Sequence, residues 1–429
     1  MLRLGRHHEI HEIKGPFRMD VLRPNDNGNT MILFGEIHTN KYYTPCDAPG
    51  CVSMVDEFIP MLNDFAATYP TELYTEAFFE NMKQATTDPD RLNDKYLETQ
   101  RDLIKTKRRI PKSTMDKFNK LYAHCFFPIF KHNCAYTNIS WNYADVRKHD
   151  TYGYDTLTKI HTEYTNMIDL FMYLKKRDKI PIENNDLTDG FPIGNITTSI
   201  LMTYKDWFED NLVRDYSTRS NITDILHRII IVLNYPERFI DELLLSSIIK
   251  SQYDVLTPEM KVLFSRESFI KLALKWRDYD YYPENSKDVL TVLLQRLIDF
   301  YETTDIHTKN TIAAQINVFA YTDIQLDYIR NAPIQYFGCV LDIYFILRSN
   351  KRAKSNKLVV GYFGQEHSAQ ISYYFTDIIR THTLIHREDG EGKITIPSDI
   401  DLTYLTQQLS IRAGTKKKGR RKGTKRVKF

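Results

Sequence analysis

Two stretches of the chain set an unbroken apolar run against a glycine, a glutamate and a histidine. Residues 30–38 read Thr-Met-Ile-Leu-Phe-Gly-Glu-Ile-His, and residues 357–367 read Lys-Leu-Val-Val-Gly-Tyr-Phe-Gly-Gln-Glu-His. A short run that is apolar on both faces predicts a strand buried within a mostly parallel sheet. After each comes a stretch with helical spacing, Asp56–Phe65 in the first case and Ser368–Arg380 in the second. Open α/β sheets place their chemistry at such strand-to-helix junctions. Two junctions more than 300 residues apart predict that the chain returns to one sheet to complete one site.

The remaining pattern fills in a domain plan. Residues 7–22 alternate and break at Gly15-Pro16, which predicts one or two N-terminal edge strands. Glu72–Glu76 and Thr137–Arg147 read as further strands, the helix of 56–69 precedes the first of them, and a capping-box-like start at Ser113–Asp116 opens a helix to about Phe130. From Tyr154 to about Arg330 the spacing is helical almost throughout, and it resumes over 334–348. His382–His386 reads as a closing strand. The expected fold is therefore α/β, a mostly parallel central sheet flanked by helices. Residues 1–150 begin the sheet domain, 151–333 form a large all-helical insertion, 334–412 complete the sheet, and 413–429 form a disordered basic tail.

Composition changes this picture at one end only. Of 58 Lys and Arg residues, nine fall in the last 15 positions with no acid among them: Lys416, Lys417, Lys418, Arg420, Arg421, Lys422, Lys425, Arg426 and Lys428. The rest of the chain carries six more acids than bases, although the whole is +3. Such a tail cannot bury enough apolar surface to offset the entropy of ordering it. Its chemistry predicts a polyanionic partner, nucleic acid first, with nuclear import or simple solubilisation as the other uses. Frequent Lys, Asn, Ile and Tyr give the chain the look of A/T-rich genomes, large DNA viruses and some protists among them, so a virion protein is one expectation. No apolar leader is visible near the start, and no run reaches the ~20 apolar residues of a membrane helix. Five cysteines, an odd and small number, predict free thiols in a reducing intracellular compartment, cytoplasm or nucleus. Cys46 and Cys51, with His124, Cys125, His132 and Cys134, also have spacings from which structural zinc could be built, as do His7, Glu9 and His11 on one strand face.

Phosphate loops, dinucleotide fingerprints, His-Glu-x-x-His and the Gly-x-Ser-x-Gly elbow are all lacking, which removes the common nucleotide hydrolases and α/β-hydrolases. The chemistry left is Glu36, His38, Glu76, Glu366 and His367, with Arg147 near the end of the third parallel strand as an oxyanion or carboxylate partner. In combination, the Gly35-Glu36-Ile37-His38 box, the Glu72-Leu-Tyr-Thr-Glu76 strand end and Val359–His367 resemble the erythromycin esterase, ChaN, TraB and TIKI superfamily. The resemblance covers residues 1–150 and 335–390. It departs at Glu366, where the family usually has glycine, and at Gln370, where a glycine is common. It implies a hydrolase of ester or amide bonds acting on a small molecule or peptide. Either His38, Glu76 and His367 hold a divalent ion such as Zn, Mn or Co, or a histidine serves as general base beside a glutamate. ChaN-like relatives are linked to haem or iron. The alternative expectation is a non-catalytic binding or structural protein on a degenerate hydrolase scaffold, with the basic tail as its working part.

Overall fold

The structure is a computed structural model. It describes chiefly residues 9–37 apart from Asn27, 49–76, 114–126, 134–146, 234–277, 286–316, 338–351 and 357–396, with isolated positions between them. Contacts divide the chain into two compact units. One comprises Met1–His149, Ser247–Ser268 and Val340–Phe429, and the other Asp150–Ser246 and Phe269–Cys339.

The first unit holds the strands β1 (Leu2–Arg3), β2 (Glu9–Ile10), β3 (Glu12–Lys14), β4 (Arg18–Pro24), β5 (Thr30–Glu36), β6 (Cys51–Ser53), β7 (Thr71–Thr75), β8 (Ile139–Tyr143), β9 (Leu358–Gly364), β10 (His382–Asp389) and β11 (Lys393–Thr395). Six of them form the main sheet in the order β10-β4-β5-β9-β7-β8. The four strands β5, β9, β7 and β8 run parallel, while β4 and β10 pair antiparallel at one side. The fold is thus mixed α/β with a mostly parallel sheet. Every residue of β5 and β9 is buried, as strands covered on both faces require. The edge strand β10 instead alternates between buried or half-buried and exposed positions.

On one face Ile32, Phe34, Val360, Tyr362 and Leu73 meet two helices, α1 (Ile59–Ala66) and α2 (Thr114–Phe126), through Leu62, Phe118 and Tyr122, and the turn before α1 through Phe58. Ring contacts Phe34–Phe58 and Phe118–Tyr362, both 5.3 Å, fix this layer. The helix expected over 56–69 divides into a five-residue π turn at Met54–Phe58, capped by Ser53, and then α1. Further described helices are α3 (Pro236–Leu245), α4 (Ser247–Tyr253), α5 (Pro258–Leu263), α6 (Arg266–Arg277), α7 (Ser286–Glu302), α8 (Ile306–Ile316), α9 (338–350) and α10 (Gln365–Tyr373), which a π turn at Tyr374–Ile378 follows. On the opposite face of the sheet Tyr74 and Phe363 each set a ring 5.1 Å from Phe345 of α9.

The helical middle does not cluster as one block, because residues 247–268 belong with the sheet unit; Ser268 donates or accepts a 2.7 Å hydrogen bond with Tyr374, just beyond α10. The cysteines are not all free. Cys46–Cys51 and Cys125–Cys134 are disulfides, and the fifth cysteine, Cys339, is buried and belongs to neither. An odd count excludes complete pairing but leaves two local pairs open, at sequence separations of 5 and 9. These bonds remove the free-thiol argument for a reducing compartment. The short helix expected near 402–411 and the tail lie outside the described residues.

His382 closes the β10 edge against the rest of the sheet. Its Nε2 lies 3.0 Å from the Asn29 carbonyl oxygen, its Nδ1 3.0 Å from Thr381 Oγ1, and its ring 4.8 Å from Phe375. Burial outweighs the Asn29 bond and holds the imidazole down at about 4, so it folds neutral. Between the unfolded value near 6.5 and about 4, the unfolded chain binds a proton the folded one refuses. This contribution to stability is therefore present at neutral pH and is lost as pH falls. Between pH 7 and 4.5 it amounts to about 2 kcal/mol. Urea titrations of the wild type and His382→Gln at both pH values should show that much less pH dependence in the variant.

Candidate active site

Three parallel strand ends meet side by side because β9 lies between β5 and β7. In register, Glu36 pairs with Gly364, and Thr75 with Tyr362. Two glycines let α10 start directly against these ends. A Cβ on Gly35 would lie 2.8 Å from Gln365 Cα, and one on Gly364 would lie 3.2 Å from Glu76 Oε1 and 3.6 Å from His367 Cδ2. The absence of side chains at both positions permits the close approach of helix to strand.

His367 occupies the first turn of α10 and is buried. Its Nδ1 stands 2.7 Å from Oδ1 of Asp342, a fully buried carboxylate on α9. Its Nε2 stands 3.6 Å from Glu76 Oε2. The arrangement follows from two periodicities. Asp342 and Phe345 share a face of α9 at a spacing of three, and Tyr74 and Glu76 share a face at the end of β7 at a spacing of two. The Tyr74–Phe345 contact thus brings Asp342 and Glu76 to the same side of the sheet, where His367 joins them. With Asp342 accepting from Nδ1–H, the tautomer is fixed and Nε2 is the atom turned toward Glu76.

Glu36 is used differently. Its Oε1 accepts the backbone N–H of Met115 at 3.0 Å, at the N-terminus of α2, and its Oε2 accepts the Tyr362 hydroxyl at 3.0 Å. A carboxylate there satisfies one of the helix's orphan donors and complements its dipole. Burial first, then Glu36, and lastly Glu76 push the Tyr362 phenol well above its ordinary range, so it stays a neutral donor. Strand alternation aims Glu36 to the α2 side with Ile32 and Phe34, away from His367. Of the residues expected in one crevice, Glu76 and His367 come together, and Glu36 turns to the α2 side. Glu366 is exposed on α10 and turned from the cluster. His38, Arg147 and the nine basic tail residues lie outside the described residues, as do His7 and His132. The loop cysteines expected to serve zinc are disulfide-bonded.

Sequence reasoning missed Asp342 and Tyr362. Asp342 did leave a signal, the lone acid in the apolar run Val340-Leu-Asp-Ile-Tyr-Phe-Ile. A charge on the buried face of a helix needs a partner. Tyr362 left none, being one more aromatic in a buried strand.

No family model, curated protein or solved structure matches this chain.

Proposed function

We propose that the chain hydrolyses an ester or amide bond of a small-molecule or peptide substrate, with His367 as the group that handles the proton of the attacking water. The observation that carries this reading is the buried Asp342–His367 bond, set at the carboxyl ends of parallel strands with Nε2 directed toward Glu76. A carboxylate behind Nδ1 holds the ring and stabilises its protonated form as Nε2 takes a proton, while Glu76 steadies the charge that develops there. The resemblance to the erythromycin esterase and TraB/TIKI superfamily points to the same reaction class.

The same residues fit a divalent ion: Nε2 and a Glu76 oxygen stand within a span that one cation bridges, and Asp342 is the carboxylate partner such an imidazole commonly has. Bound there, zinc, manganese or cobalt would supply a water acidified toward neutrality. His38 belongs to this set on sequence grounds alone. The test is turnover of a panel of activated esters and short peptides, before and after exhaustive chelation. Activity that vanishes in His367→Ala supports the proposal, and chelation tells the base role from the ligand role. Turnover unchanged by His367→Ala, or none on any substrate with or without added metal, would sink it.

A second reading rests on the tail: nine basic residues and no acid in the last 15 positions favour a binding protein whose partner is nucleic acid. Counterion release makes that binding fall steeply with salt, by about 10³-fold or more between 50 and 200 mM if six charges engage phosphate. Fluorescence anisotropy with the full chain and with a chain ending at Ala413 checks it; equal affinity for the two would remove the tail's role.

A further inference from the structure

His124, Cys125 and Cys134 present one imidazole nitrogen and two sulfurs within 4.8 Å of one another. Cys125 and Cys134 are buried and His124 half-buried. Two of these three atoms are joined in a disulfide, so the cluster as it stands offers no thiolate. We propose that the cluster is a redox-gated zinc site, closed by the disulfide when oxidised and holding one zinc ion when reduced. This inference is independent of the hydrolase reading.

The surroundings are ordered in a way that suits both states. Cys125 lies one residue before the end of α2, and Cys134 leads toward β8. Between them Trp141 packs on Tyr122 at 5.4 Å and on Phe126 at 5.1 Å, and its Nε1 donates to the Tyr136 carbonyl at 2.8 Å. This packing holds the two backbones near each other without the covalent link. A disulfide and a zinc ion would tie the same helix end to the same strand, one replacing the other.

A dithiol reductant gives two electrons and two protons to the Cys125–Cys134 bond and becomes a disulfide itself, leaving two thiols. Zinc then displaces the two thiol protons to solvent and takes both thiolates and a neutral His124 nitrogen as ligands. Tetrahedral zinc sets such donors about 3.5–3.8 Å apart, so the two sulfurs move apart once their bond is reduced and the imidazole closes by up to roughly 1 Å. Water completes the fourth position. Soft sulfur with imidazole favours zinc over the oxygen-seeking magnesium and calcium ions.

The experiment uses the full chain. Oxidised and phosphine-reduced protein are each loaded with zinc without air, desalted and analysed for metal. Reduced wild type should carry one more zinc per chain than oxidised wild type, a difference that subtracts any ion held elsewhere. Reduced Cys46→Ser should keep that gain and reduced Cys134→Ser should lose it. His124→Ala retains both sulfurs and the oxidised crosslink, and should weaken zinc at least tenfold in the reduced protein, which covers the case in which Cys134→Ser fails to fold. Equal zinc in both redox states overturns the proposal. So does a gain that survives Cys134→Ser, that disappears in Cys46→Ser, or that His124→Ala leaves unweakened.

Discussion

Asp342→Asn is expected to lower kcat on any hydrolysed substrate by about 10²- to 10⁴-fold while leaving KM nearly unchanged. The asparagine has the shape of the carboxylate but not its charge. Its amide can donate to Nδ1, and the imidazole then takes the tautomer whose proton sits on Nε2, the atom that must accept one. His367→Ala removes the acceptor altogether and should cost as much or more. Because the two side chains act as a unit at 2.7 Å, the double variant should be no slower than His367→Ala alone. Losses that multiply would show that Asp342 acts on something other than His367. Matching urea midpoints separate this from unfolding.

The largest loss of stability is expected at the antiparallel edge of the sheet, in Asp20→Asn. Asp20 on β4 is fully buried and holds two guanidinium groups. Arg18 donates from Nε and Nη2 to Oδ2 at 3.2 and 3.0 Å, and Arg387 donates from Nε to Oδ1 at 2.8 Å. The sheet register produces this cluster, since Asp20 faces Arg387 and Arg18 faces Asp389 across the antiparallel pair. Breaking a buried pair by deleting one partner commonly costs 3–5 kcal/mol because a buried charge is stranded. Here Arg18 keeps its 3.0 Å contact with Asp389, and the Arg387 side chain is 41% exposed, so the expected cost is nearer about 3 kcal/mol. Asp389→Asn, at a half-exposed position, should cost less than about 1 kcal/mol. Urea denaturation of the two variants measures both, and equal costs would refute the placement of the charge burial at Asp20.

Certain features were legible in the sequence because they are local. The runs 30–36 and 358–364 are apolar at every period, which only a strand covered on both faces tolerates, and they are β5 and β9. The glycines that close them, and the Glu and His beyond, announced strand-to-helix junctions; Gly364 caps α10 and His367 sits in its first turn. Glu76 and His367, which the structure brings together, were visible for the same reason. Neither the antiparallel partnership of β4 and β10 nor the place of β9 between β5 and β7 could be read in this way. Strand order depends on crossovers hundreds of residues long, and alternation within a strand carries no information about its neighbour.

Tertiary structure alone decided what each acid does. Glu36 and Glu76 look equivalent in the sequence, each closing an apolar strand, but their side chains leave opposite faces of the sheet: Glu36 is consumed by the α2 N-terminus and Tyr362, and Glu76 faces His367. The face is set by where the strand stops, and a shift of one residue reverses it. Asp342 entered the site from α9 because the Tyr74–Phe345 contact fixes how that helix lies on β7, a fact about packing between residues 271 positions apart. The pairing of four cysteines was likewise settled by which loop ends the folded elements bring together. Sequence determines which segments bury and what chemistry their ends carry; the packing of those segments against one another determines which of those groups meet.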